Sequence, residues 1–157
     1  MQGADTMMAF LAGMCLFILL FAAAAIVIMI FFLLSLQRCF ESISPKNRAM
    51  SPGMVWLVLI PLFGIVWNFF VVTRLANSAK KEAAEYGISD IGDGGYGIGL
   101  TFCILNVANI VISFIPFVGA LSGLAIFVLF IIYWVKVSGM TKIFQTAQRE
   151  TAAPPVV

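Results

Sequence analysis

The chain of 157 residues contains no histidine, and no carboxylate lies within any of its long apolar stretches. The commonest general base, imidazole ligation of haem and proton relay through hydrocarbon therefore lose their usual carriers, and no enzymatic activity is expected. Charge is scarce, at 10% of residues, which excludes the clustered basic face that nucleic acid requires. The three cysteines, Cys15, Cys39 and Cys103, show no paired CxxC spacing, so neither a zinc site nor a disulfide framework is indicated. No cofactor or metal is called for, because Asp90 and Asp93 lack the other oxygen ligands of a calcium loop. The start also lacks the basic flank of a cleavable leader, so its apolar run is expected to remain as an anchor.

What the chain has in excess is hydrophobicity, 62% of its residues. Residues 7–36, 49–73 and 96–135 carry no charge, and all nine Lys and Arg and all seven Asp and Glu fall outside them. This pattern predicts an all-α integral membrane protein whose first partners are membrane lipids. Four hydrophobic segments are expected, at 7–36, 54–73, 98–115 and 117–135. One membrane domain covers 1–150, and 151–157 form a disordered tail. The first segment would make a helix of about 45 Å against a hydrocarbon core of about 30 Å, so it must tilt, protrude or meet a partner. Ala9 and Gly13 offer a small face for close helix approach, as do Gly119 and Gly123 in the last segment.

The segment 54–73 is broken at its centre by Pro61 and Gly64, and 98–135 is divided by Pro116 into two arms of a hairpin. Between the apolar segments, 37–51 reads as a surface loop, and 74–86 as a polar helix stopped by Gly87, with Lys81 and Glu85 four apart. Glu82 and Glu85 are expected on its solvated face. After Lys136, Val137, Met140, Ile143 and Phe144 recur at helical spacing, which predicts an amphipathic helix at the membrane interface.

Topology follows from charge. Asp5 precedes the first segment, and Arg38, Lys46 and Arg48 follow it, placing the N-terminus outside and loop 37–53 in the cytoplasm. A full crossing of 54–73 would then leave three basic residues inside and six outside. A re-entrant hairpin would put all nine, and the C-terminal tail, on the cytoplasmic side. Length and the frequency of Pro kinks in spanning helices argue for the crossing, so both topologies stand.

Asn106, Asn109 and Ser113 share one face of the third segment, with Asn68 and Ser122 as candidate partners. The plainer reading is structural glue between helices; the alternative is a pore or small-solute pathway lined by this face and the Pro61 break. The string LIPLFG at 59–64 recurs as FIPFVG at 114–119, a weak internal echo. Residues 47–88 (NRAMSPGMVWLVLIPLFGIVWNFFVVTRLANSAKKEAAEYGI), with the later IPFVG and IIYWVKV, resemble a group of small bacterial integral membrane proteins for which no activity or ligand is established. The likeness covers roughly two thirds of the chain and implies the bacterial inner membrane and nothing catalytic. The expected role is a small membrane scaffold or accessory subunit, acting through helix packing in a homo-oligomer or a larger membrane complex.

Overall fold

The computed structural model describes residues 2–152, apart from the side chains of residues 2–4 and 116. Among the described residues every regular element is a helix, with no strand: α1 (Gln2–Glu41), a 3-10 helix (Pro52–Leu59), α2 (Phe63–Glu85), α3 (Tyr96–Ile112) and α4 (Pro116–Ala152). The chain divides into two compact units, Met1–Leu34 and Ser35–Val157.

The first unit is helix. Uncharged residues of good helix propensity follow one another without Pro, and Asp5 sits in the first turn, where a negative charge suits the positive end of the helix dipole. From 5 to 31 the side chains are exposed apart from half-buried Met29. A helix that is apolar all round belongs in hydrocarbon or in a large core.

In the second unit α1 continues as far as Glu41, so the connection to the next element begins later than the expected residue 37. Its apolar members are not surface residues either: Cys39, Phe40, Ile43 and Met50 are buried. The chain then turns back on itself. Ala49 N–H donates to Ser78 Oγ at 2.8 Å, and Trp67 Nε1 donates to the Met54 carbonyl at 2.8 Å. A Cβ on Gly64 would collide with the Val58 carbonyl. The 3-10 helix thus runs antiparallel to α2, and 54–73 is a helical hairpin with its bend at Pro61 and Leu62 rather than one helix. Pro52 opens the 3-10 helix at a position where its missing N–H costs nothing.

α3 and α4 form a second antiparallel hairpin, turning through residues 113–115, with Pro116 the first residue of α4. A Cβ on Gly119 would lie 3.0 Å from Ser113 Cα, so Gly119 lets the turn close tightly. α2 lies against α3: a Cβ on Gly94 would fall 2.9 Å from the Ala76 carbonyl, and one on Gly99 would fall 2.6 Å from Val72 Cγ1 and 2.8 Å from the Tyr133 ring. α4 does not stop at Lys136. It continues as one helix to Ala152, and Val137, Met140 and Phe144 are buried in the core with Leu36, Phe40, Leu75 and Ala79. The expected separate interfacial helix is therefore the second half of α4, its apolar stripe covered by protein. Thr151 and Ala152 close that helix, and the rest of the expected tail lies outside the described residues.

Because Val72 is stiff and the Tyr133 ring is buried, Gly99→Ala is expected to cost about 1–3 kcal/mol by overpacking. Gly123→Ala, with no atom within 4 Å of the new Cβ, should cost nothing. Thermal unfolding of the two variants in the same detergent checks the contrast.

Candidate membrane-contact surface and polar base

In the second unit, exposed apolar surface and charge separate by segment. Among the described residues, every large hydrophobic residue with an exposed side chain lies in 54–70 or 96–135, among them Leu62 (82%), Phe114 (85%) and Phe117 (78%). None of the unit's charged side chains falls there; all are in 35–53, 71–95 and 136–152. Hydrogen bonds tie those three stretches into one polar base, from which both hairpins extend with apolar tips.

The base is organised around Glu82, which has 0% exposure. Its Oε1 accepts from Ser44 N–H at 2.9 Å, Ser44 Oγ at 2.6 Å and Gln148 Nε2 at 3.3 Å, and Oε2 accepts from Asn47 Nδ2 at 2.7 Å. Gln148 Nε2 also donates to the Ser42 carbonyl at 2.8 Å. Burial pushes the carboxyl pKa up, but the donors of Ser44, Asn47 and Gln148 outweigh it, and the net direction is below the ordinary carboxylate value. An ionised carboxylate thus joins the loop after α1, α2 and the end of α4. Glu82 does not lie on a solvated face, and the signal for it, Ser44 and Asn47, sits 38 and 35 residues away. Glu85 is exposed and pairs with Lys46 rather than with Lys81, which lowers the carboxyl pKa and raises that of the lysine.

Asp93 closes the other side of the base. Its Oδ1 accepts from Lys136 Nζ at 2.8 Å and Gly95 N–H at 3.0 Å, and Oδ2 accepts from Gly97 N–H at 2.6 Å, the open first turn of α3. The Lys136 ammonium and the two N–H groups hold the carboxyl pKa at about 2.

The polar groups expected within the apolar segments do not form one array. Asn109 Oδ1 accepts from Ser122 Oγ at 2.5 Å across the second hairpin. Asn106 Nδ2 donates to the Phe102 carbonyl of its own helix, its side chain otherwise exposed, and Ser113 Oγ donates to the Ile110 carbonyl. Among the described residues no hydrogen bond joins Asn68 to this set. Ala9 and Gly13 are exposed, and a Cβ on Gly13 or Gly123 would meet no atom within 4 Å.

Sequence reasoning identified the break at Pro61 and Gly64 but missed its most unusual residue. Leu62 has φ 62° and ψ −50°, and Phe63 N–H donates to the Pro61 carbonyl at 2.7 Å. This is a γ-turn of the strained, positive-φ kind, which costs of order 1–3 kcal/mol at a residue with a Cβ.

Among the described residues two helical stretches are long and apolar enough to cross a membrane, Asp5–Glu41 and Phe117–Ala152, and Tyr96–Ile112 is a shorter apolar helix. No family model, curated protein or solved structure matches the chain.

Two outcomes follow for the base. Glu82→Gln turns an amide donor toward groups that are themselves donors, and is expected to lower stability by about 1–3 kcal/mol, read as a lower melting temperature. For Asp93 the folded pKa lies below the unfolded one, so its contribution is complete above about pH 4 and is lost as pH falls toward 2. Asp93→Asn should therefore melt below the wild type at pH 6, and the gap should close by pH 2.

Proposed function

We propose that the protein is a small multi-pass protein of the bacterial inner membrane, acting as a scaffold or accessory subunit by helix packing in a homo-oligomer or larger membrane complex. The observation that carries this reading is α1, whose apolar side chains are exposed around the whole helix from residue 5 to residue 31 apart from Met29. Lipid satisfies such a surface, and the small residues Ala9 and Gly13 let a second helix approach its backbone. Chemistry has few carriers here: the strongly held carboxylates, Glu82 and Asp93, are saturated with structural donors.

In the same reading 54–73 is re-entrant. The 3-10 helix, at about 2 Å per residue, and the apolar start of α2, at about 1.5 Å per residue, each reach about 16 Å, half of a hydrocarbon core of about 30 Å. Ala49 bonded to Ser78 puts the two ends of the hairpin at one level, which favours all nine basic residues on the cytoplasmic side and the N-terminus outside. The Asn109–Ser122 hydrogen bond favours helix glue over a polar lining at that face.

Crosslinking in intact membranes followed by native mass spectrometry in gentle detergent is expected to give species heavier than the 17.1 kDa chain, depleted in Gly13→Leu. A 17.1 kDa species alone overturns the scaffold reading. Topology has its own test: single cysteines at exposed Ala49 and Ala84, in a background without Cys15, Cys39 and Cys103, should label from the same side of the membrane. Labelling from opposite sides overturns re-entry.

A further inference from the structure

Gly139 lies inside α4, where glycine costs about 1 kcal/mol relative to alanine, yet a Cβ there would meet no atom within 4 Å. The fold does not need this glycine. It lies midway along a shallow groove of about 310 Å³ on one face of α4, with Trp134 and Val135 at one end, Ser138 beside it and Lys142 at the other end. The groove straddles the edge of the membrane-contact surface: Val135 is the last exposed large hydrophobic residue of the chain that the structure describes, and the charged residues of α4 begin at Lys136.

The geometry points to a binding site for one anionic phospholipid in this groove. Its phosphate lies against the Lys142 ammonium, its glycerol crosses Gly139, and the upper part of one acyl chain follows Val135 and Trp134. Charge complementarity selects the occupant. Lys142 is exposed and makes no ion pair among those of the described residues, while Lys136 on the same helix is taken by Asp93. An aromatic ring at headgroup level with a cation about two turns further from the hydrocarbon, about 12 Å along the helix, matches the order of groups along a phospholipid. An apolar protein helix laid in the groove would bury the lysine unpaired. A zwitterionic lipid brings its own cation to the phosphate and gains less from Lys142.

This inference rests on the membrane placement proposed above, and the test separates the two. The full chain is reconstituted in phosphatidylcholine vesicles containing, in parallel samples, phosphatidylglycerol or phosphatidylcholine brominated near the top of one acyl chain. Trp134 fluorescence is taken as the difference between wild type and Trp134→Phe. The expected result is a preference of about fivefold for quenching by the anionic lipid, the ratio that one lysine gives at an anionic surface. Lys142→Gln should remove the preference, and so should Gly139→Leu, whose Cβ meets no atom within 4 Å and whose side chain occupies the groove, while Lys80→Gln keeps it. Equal quenching by the two lipids, or a preference that survives Lys142→Gln, overturns the site and leaves the membrane placement standing. Absence of quenching by either lipid overturns both.

Discussion

The second unit depends on a buried carboxylate. Glu82 collects four donors from two segments distant in sequence, and it is the one buried group that bonds the loop after α1 and the end of α4 to α2 at once; the other polar links, Ala49 to Ser78, Lys46 to Glu85 and Gln148 to the Ser42 carbonyl, each join two of the three. Apolar contacts fix proximity but not register. A carboxylate with no exposure, whose two oxygens each face amide or hydroxyl donors, tolerates one arrangement and penalises the others by a lost charge-assisted hydrogen bond. The donors are neutral, so the group remains an anion without a buried cation beside it. Asp93 does comparable work just before α3, where its partner is Lys136 of α4.

That closure of the base lets the two hairpins stand with exposed tips. The first bends at Leu62, and the strain of its turn is offset by what the bend permits: the Trp67 indole reaches back to the Met54 carbonyl, while on α2 itself Trp67 stacks on Phe63 and meets Phe70 at a tilt, with centroids 5.3 and 5.8 Å apart. The indole bond matters because the 3-10 helix leaves carbonyls without helical partners, and in a medium without water each unpaired carbonyl is costly. Gly64 completes the device, since a Cβ would strike Val58 and open the hairpin.

Much of this architecture was legible, because the signals were local. Absence of charge marked the apolar segments, Gly87 and Pro116 marked helix boundaries, and the seven-residue spacing of Asn106 and Ser113 placed them on one helix face. What escaped depends on distant partners. The string RLANSAKKEAAEY is polar enough to read as a solvated helix, and nothing within it says that Ser44, Asn47 and Gln148 will enclose Glu82. The stripe Val137, Met140 and Phe144 has the same periodicity whether lipid or protein covers it, and the choice was made by Leu36, Phe40 and Leu75, on other helices. The positive φ of Leu62 has no sequence signature, since leucine avoids that region and is held there by the hairpin around it.

The location of the apolar core follows from the same physics. In water, burying a side chain such as Phe40 or Phe144 contributes roughly 1.5–3 kcal/mol, so a hydrophobic core forms where water would otherwise be. In hydrocarbon that gain disappears, because acyl chains are as apolar as leucine, and helices associate through close packing and hydrogen bonds. The second unit carries both kinds of packing along its own helices. Large buried residues such as Leu36, Phe40, Leu75, Val137, Met140 and Phe144 fill the base, whereas beyond Cys103 on α3 and before Tyr133 on α4 none of the described side chains is fully buried and the contacts become Gly119 against Ser113 and Asn109 to Ser122. A soluble helical protein would show the reverse, with its best-covered residues midway along the hairpins and its charges scattered over their outer faces. The change at Tyr133 and Lys136 on α4 is matched at Val72 on α2 and at Gly99 on α3, since Gly99 lies against both Val72 and the Tyr133 ring, and Asp93, just before α3, meets Lys136.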